Sequence, residues 1–168
     1  MTIRDAVIAD AGSIAEIRVS SWRATYAGVV PQPILEGLDV ARNESWLRAR
    51  LAAPGATSTL VVEEDDGLAG YALLAPAHDP DADGLGEIEA IYLAPGATGR
   101  GLGRALVEAA LARLAAAGHE EAVLWVLTDN AGARRFYERC GFVPDGAARM
   151  LDFDGTPIEE MRYRRAVA

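Results

Sequence analysis

The sequence predicts a single α/β domain with a central mixed sheet, and three observations carry that expectation. Its 168 residues suit one ordinary domain spanning 1–168 and leave no room for two well-packed ones without a visible seam. Two apolar runs, Thr59 to Val62 and Leu68 to Leu74, flank the acidic turn Glu63 to Gly67 and read as an antiparallel hairpin. Glu87 to Leu93 as a strand, Leu102 to Ala117 as a helix and Ala122 to Leu127 as a second strand make a βαβ unit, which puts parallel strands in the same sheet.

Each element has its local reason. Ile3 to Val7 reads as a short strand, and Asp10 opens an amphipathic helix in which Ile14, Ile17, Val19 and Trp22 roughly follow the 3.6-residue period up to Tyr26. Ala27 to Pro33, with Gly28, Pro31 and Pro33, is expected as loop. Ile34 to Leu38 and Asn43 to Leu51 are expected as helices, the second ended by Pro54-Gly55. After the hairpin, Ala75 to Gly86 is a loop rich in Pro, Asp and Gly, and the strand that follows stops at Pro95. Leu102, Leu106, Ala109, Ala110, Arg113 and Leu114 build the next helix with one apolar face, and Gly118 stops it. Ala122 to Leu127 is apolar throughout, the pattern of a strand buried on both faces and so parallel to a neighbour. Ala133, Phe136, Tyr137 and Cys140 fall at i, i+3, i+4 and i+7 on a last helix ended by Gly141, and two strands joined through Asp154-Gly155 close the chain.

Composition excludes several classes of function. The longest apolar candidate, Leu106 to Ala117, is interrupted by Arg113, so no spanning helix and no membrane partner are expected. The first residues lack a basic segment leading into an apolar run, so no secretory leader is expected and the cytoplasm is the expected compartment. One cysteine, Cys140, makes no intramolecular disulfide, and His78 and His119 have no metal-ligand spacing, so no metal is expected. The net charge of −9 lies in residues 1–99, which hold 6 Arg against 15 acids, while residues 100–168 carry 10 of each. With no basic run to displace counterions, nucleic acid is not an expected partner.

The chemistry gathers around Pro95-Gly-Ala-Thr-Gly-Arg-Gly-Leu-Gly-Arg, which places Gly99, Gly101 and Gly103 on alternate residues between a strand and a helix. Backbone N–H groups there can approach an anion, aided by the helix dipole, so the segment reads as a phosphate cradle. It is not a P-loop, because Leu102-Gly103 stands where Lys-Ser/Thr is required. The dinucleotide fingerprint fails at Arg104, where it needs glycine, and a nucleotide-binding domain is weakened accordingly.

Pro95 to Leu106, followed by Asn130-Ala-Gly-Ala-Arg-Arg-Phe-Tyr-Glu-Arg-Cys-Gly-Phe-Val, resembles the GNAT family of N-acetyltransferases. The likeness covers about the whole domain and is densest from Leu85 to Val143. Thr98 stands where the family has Arg or Gln, so pyrophosphate binding is assigned to the backbone of Gly99, Arg100, Gly101, Leu102, Gly103 and Arg104. The resemblance implies a mostly antiparallel sheet splayed between two parallel strands and flanked by helices. It places acetyl-CoA in the wedge between 87–93 and 122–127, with the cofactor arm along Ile91, Tyr92 and Leu93. A backbone N–H near Ile91, where the family strand carries a bulge, would meet the oxyanion. Asn130 matches the residue that bonds the cofactor arm, although an Asn there is equally a helix N-cap. Tyr137 matches the general acid, although it also lies on an apolar stripe where a core aromatic fits.

Acetyl transfer to an amine needs a base for the ammonium proton, a donor for the oxyanion and a proton for the leaving thiolate. Glu89 matches the family's base position, with Glu87 the runner-up. Trp22 and Tyr26 are expected on the acceptor wall. Nine acids and no Arg between Glu63 and Glu89 point to a cationic acceptor, a small-molecule amine or a peptide N-terminus. Direct attack in a ternary complex is the expected route, and a homodimer is compatible with the resemblance. The alternative is a non-catalytic acyl-CoA-binding module of the same fold.

Overall fold

The computed structural model describes residues 1–53 and 55–168. In chain order it contains β1 (Thr2–Asp5), α1 (Ala11–Thr25), α2 (Gln32–Glu36), α3 (Val40–Ala52), β2 (Ser58–Glu64), β3 (Gly67–Pro76), β4 (Gly86–Leu93), α4 (Leu102–Ala116), β5 (Glu121–Leu127), α5 (Ala131–Arg139), β6 (Val143–Phe153) and β7 (Thr156–Ala166). The seven strands form one sheet in the order β1-β2-β3-β4-β5-β7-β6. Every neighbouring pair is antiparallel except β4 and β5.

Two apolar cores sandwich the sheet. Leu60, Val62, Ala72 and Leu74 point to the side of α4, where they meet Leu106, Val107, Ala110 and Leu111. Val61, Tyr71 and Leu73 point the other way, onto Ala11, Ile14 and Ala15 of α1 and Leu47 of α3. This two-residue alternation explains why β2 and β3 are apolar at successive positions: both faces are covered.

Some expected boundaries move. α3 begins at Val40 rather than Asn43, because the Asp39 carboxylate accepts from the Arg42 N–H and caps the helix there. α2 takes in Pro33 in its first turn, where a missing N–H is harmless. The stop expected at Pro54 lies outside the described residues. β5 is buried on both faces as its composition predicts, but its parallel partnership is short. Only Gly86↔Ala122 and Glu87↔Val123 join it to β4, whereas seven pairs join it antiparallel to β7.

Candidate active site

The site exists because β4 and β5 part company. β4 pairs with β3 as far as Leu93, while its pairing with β5 stops at Glu87, so the β5-facing edge beyond Glu87 is left unpaired. The parting coincides with a bulge: Leu73 faces Ala90 but Leu74 faces Ile88, which leaves Glu89 as the extra residue of β4. The irregularity expected near Ile91 therefore falls two residues earlier, at Glu89. Between the parted strands lies a cleft of about 800 Å³, a size that suits a cofactor and a small substrate. Ile91, Tyr92, Leu93, Gly99, Gly101, Gly103, Arg104 and Asn130 line it, as do Glu87, Glu89, Tyr137, Trp22 and Tyr26.

At one end of the cleft stands the start of α4. Gly101 is its N-cap at φ +83°, in the left-handed region that favours glycine. The first intrahelical acceptor, the Gly101 carbonyl, serves Ala105, so the N–H groups of Leu102, Gly103 and Arg104 have no partner within the helix. Gly103 packs closely for a different reason: a Cβ there would meet the Phe136 ring of α5 at 3.2 Å, and that ring would have to shift. Two of the expected cradle residues turn their side chains away. Arg100 pairs with Glu64 at 2.9 Å, and Leu102 is packed in the core, so each offers the cleft only its backbone. Leu93 likewise has its carbonyl taken, by the Ser21 hydroxyl at 2.6 Å.

Asn130 caps α5: its Oδ1 accepts from the Ala133 N–H at 3.1 Å. Its Nδ2 makes no hydrogen bond among the described residues, so the capping role leaves an amide donor for the cleft it lines. Tyr137 packs between Phe136 and Phe142, with ring centroids 5.1 and 6.0 Å away, and its hydroxyl has no protein partner among the described residues. Burial pushes its phenol well above the ordinary value.

The two strand carboxylates differ sharply. Glu89 is bound by Arg50 of α3. Glu87, only 9% exposed, has no arginine partner among the described residues. Its burial, followed by the charges of Glu89 and Asp79, pushes its carboxyl pKa up, against a hydrogen bond from the His78 backbone.

Across the cleft from the cradle are aromatic and ionic groups. Trp22 and Tyr26 meet edge to face at 4.9 Å, and the Tyr26 hydroxyl lies 2.9 Å from that of Tyr92, which ties α1 to β4. Sequence reasoning did not single out Trp125, Arg149 or Glu160, which also line this end. Arg149 stacks on Trp125 at 4.0 Å and forms an ion pair with the buried Glu160 opposite it in the β6–β7 ladder. The signal was available: a tight turn at Asp154-Gly155 fixes that register and puts Arg149 across from Glu160.

The acid-rich stretch is largely neutralised. Glu63 pairs with Arg4, Glu64 with Arg100, Asp79 with Arg149 and Arg162, Asp81 with Arg162, and Glu89 with Arg50. The run of nine acids therefore presents the cleft with less negative field than its sequence suggests, and Glu87 is the acid of that run that lines the cleft without an arginine partner. Among the described residues no His, Cys, Asp or Glu cluster could hold a metal, and no helix is long and apolar enough to cross a membrane.

Comparison with known proteins agrees with this geometry. The acetyltransferase (GNAT) family model matches residues 16–142. A mycothiol acetyltransferase of Beutenbergia cavernae is 43% identical over 112 residues, covering 66% of this chain and 34% of that protein. The chain thus spans about a third of the length of that relative. An uncharacterized N-acetyltransferase of Bacillus subtilis, YuaI, is 29% identical over 131 residues, covering 77% of this chain and 73% of its own. Among solved structures, ribosomal-protein-alanine N-acetyltransferase of Brucella melitensis superposes with a TM-score of 0.78 at 21% identity, covering 99% of both chains. The N-acetyltransferase PaiA of Thermoplasma acidophilum, solved with coenzyme A, gives a TM-score of 0.73 at 24% identity over 96% of both chains.

Proposed function

The chain belongs to the acetyltransferase (GNAT) family, and on that premise we propose that it transfers the acetyl group of acetyl-CoA to a primary amine by direct attack in a ternary complex. The observation that carries this reading is the meeting, in one cleft, of an anion cradle, a buried carboxylate without an arginine partner and a phenol with no protein partner. Acetyl-CoA supplies a thioester. The unpaired N–H groups at the start of α4 would hold its pyrophosphate, Asn130 Nδ2 its arm, and the freed edge of Ile91 to Leu93 would pair with that arm.

The chain's own groups then divide the work. Glu87 takes the proton of the incoming ammonium, either directly or through water, and its raised pKa makes it a better base than an ordinary carboxylate. Glu89, already bound by Arg50, is the weaker candidate for that role. A backbone N–H on the freed edge of β4, near Ile91, faces the oxyanion as the amine nitrogen bonds to the carbonyl carbon. As the carbon–sulfur bond breaks, Tyr137 donates a hydrogen bond to the leaving thiolate, and the second proton, shed by the nitrogen as it becomes an amide, reaches the sulfur through that phenol or water. A phenol raised by burial is protonated at neutral pH and so can donate, although full transfer to a thiolate is uphill.

The acceptor in this reading is cationic, a small-molecule amine or a peptide N-terminus handled in the cytoplasm. Support comes from the Glu87 carboxylate, which lines the cleft without an arginine partner among the described residues, and from the aromatic rings of Trp22 and Tyr26 beside it, groups that attract an ammonium at short range. Thiol release from acetyl-CoA over a panel of polyamines, aminoglycosides, amino acids, peptides and the acceptor of the mycothiol acetyltransferases tests the proposal. Amine-dependent release is expected, with kcat/KM for the best amine falling a few-fold as ionic strength rises to about 0.5 M. Tight coenzyme A binding with no release for any amine would identify a non-catalytic acyl-CoA-binding module instead. A neutral or anionic best acceptor would overturn the cationic assignment alone.

A further inference from the structure

One guanidinium nitrogen spans the irregularity that opens the cleft. Arg50 reaches from α3 to the β3–β4 junction, where its Nη2 donates to the Leu74 carbonyl at 2.9 Å and also to the Glu89 carboxylate. These two acceptors bracket the bulge: Leu74 is the β3 residue at which the register slips, and Glu89 is the extra residue on β4. The side chain of Arg50 is only 12% exposed, lies 5.7 Å from the Trp46 ring, and keeps its Nε buried without a partner. Its desolvation is therefore compensated chiefly through Nη2, and a charge this buried is held in place only because its partner is fixed.

We propose that Arg50 is a positioning residue for acetyl transfer, its Nη2 tying Leu74 to Glu89 across the β4 bulge and so fixing the course of β4 into the cleft and leaving Glu87 as the free strand carboxylate. This rests on the reading of Glu87 as the base. The groups around Glu87 are Glu89 on its own strand, Asp79 and the His78 imidazole and N–H from the β3–β4 loop, and Arg149 and Arg162, which offset Asp79 from β6 and β7. Arg50 does the same for Glu89. Without it, Glu89 keeps only the exposed His78 imidazole, 3.9 Å from its Oε1, so a poorly compensated carboxylate stands two residues from the base, and like charge disfavours ionisation of Glu87.

The test is the pH dependence of kcat/KM, with folding checked by circular dichroism and coenzyme A affinity by calorimetry. Glu87→Gln comes first, and it is expected to abolish the ascending limb. In Arg50→Met that limb is expected to move up by about one pH unit, with kcat lowered about tenfold and coenzyme A affinity within about twofold of wild type. Adding Glu89→Gln to Arg50→Met removes the poorly compensated charge and returns the limb, while kcat stays low because the bulge is still untied. Arg50→Lys, whose single nitrogen can serve both acceptors, is expected to restore both. A limb that persists in Glu87→Gln overturns the base assignment, and this proposal falls with it. If the limb is lost there, an unmoved limb and normal kcat in folded Arg50→Met overturn the role of Arg50 alone.

Discussion

Burial raises the pKa of both Glu87 and Tyr137, and the same shift suits opposite roles. A carboxylate with a raised pKa binds a proton more readily, and a phenol with a raised pKa stays protonated as a donor. Tyr137→Phe removes only a hydroxyl with no protein partner, so the fold and coenzyme A affinity should be nearly unchanged while kcat falls about tenfold or more. Steady-state rates beside a binding titration check this, and equal kcat across the pH range would return Tyr137 to a packing role. At this scale the sequence carried residue identities but not pairings. Trp22, Tyr26, Glu87 and Tyr137 were legible as candidates and all line the cleft. Which acids are neutralised was not legible, because Arg50 and Arg162 come from 39 and 81 residues away to meet Glu89 and Asp81.

Among elements, the loop into α4 was the most legible, since alternate glycines have few other uses ahead of a helix. A Cβ at Gly101 would meet nothing within 4 Å, so the preference for glycine there is conformational: at φ +83° a β-branched residue is strained. Gly101→Val should therefore distort the first turn of α4, raising the dissociation constant for coenzyme A at least about tenfold and lowering stability by roughly 1–2 kcal/mol. Calorimetric titration and thermal unfolding separate the two effects, and unchanged affinity in a folded variant would remove the cradle assignment. The hairpins at Glu63–Gly67 and Asp154-Gly155 were legible from turn chemistry. The length of the parallel pairing was not, because an apolar strand reports burial on both faces and says nothing of how far its neighbour follows it. The start of α3 was missed for a local reason, an Asp39 cap ahead of a helix whose exposed face hides its period.

Over the whole molecule, the fold redistributes the charge imbalance between the two parts of the chain, while the net charge stays at −9. Arg100, Arg113, Arg149 and Arg162 from the neutral second part pair with Glu64, Asp5, Asp79 and Asp81 of the acidic first part. In the proposed reading an amine is recognised by contacts inside the cleft, where the nearby acids are mostly ion-paired, so only a few-fold salt dependence is expected. In the sheet order β7 lies between β5 and β6, and the Arg149–Glu160 pair of the β6–β7 ladder lines the cleft. A crystal structure of the protein with coenzyme A tests the central claim most directly. The pyrophosphate should lie on the N–H groups of Leu102 to Arg104, the arm along Ile91 to Leu93, and the thiol within about 3–4 Å of the Tyr137 hydroxyl. Coenzyme A bound outside the parting of β4 and β5, or with its thiol remote from both Tyr137 and Glu87, would contradict it.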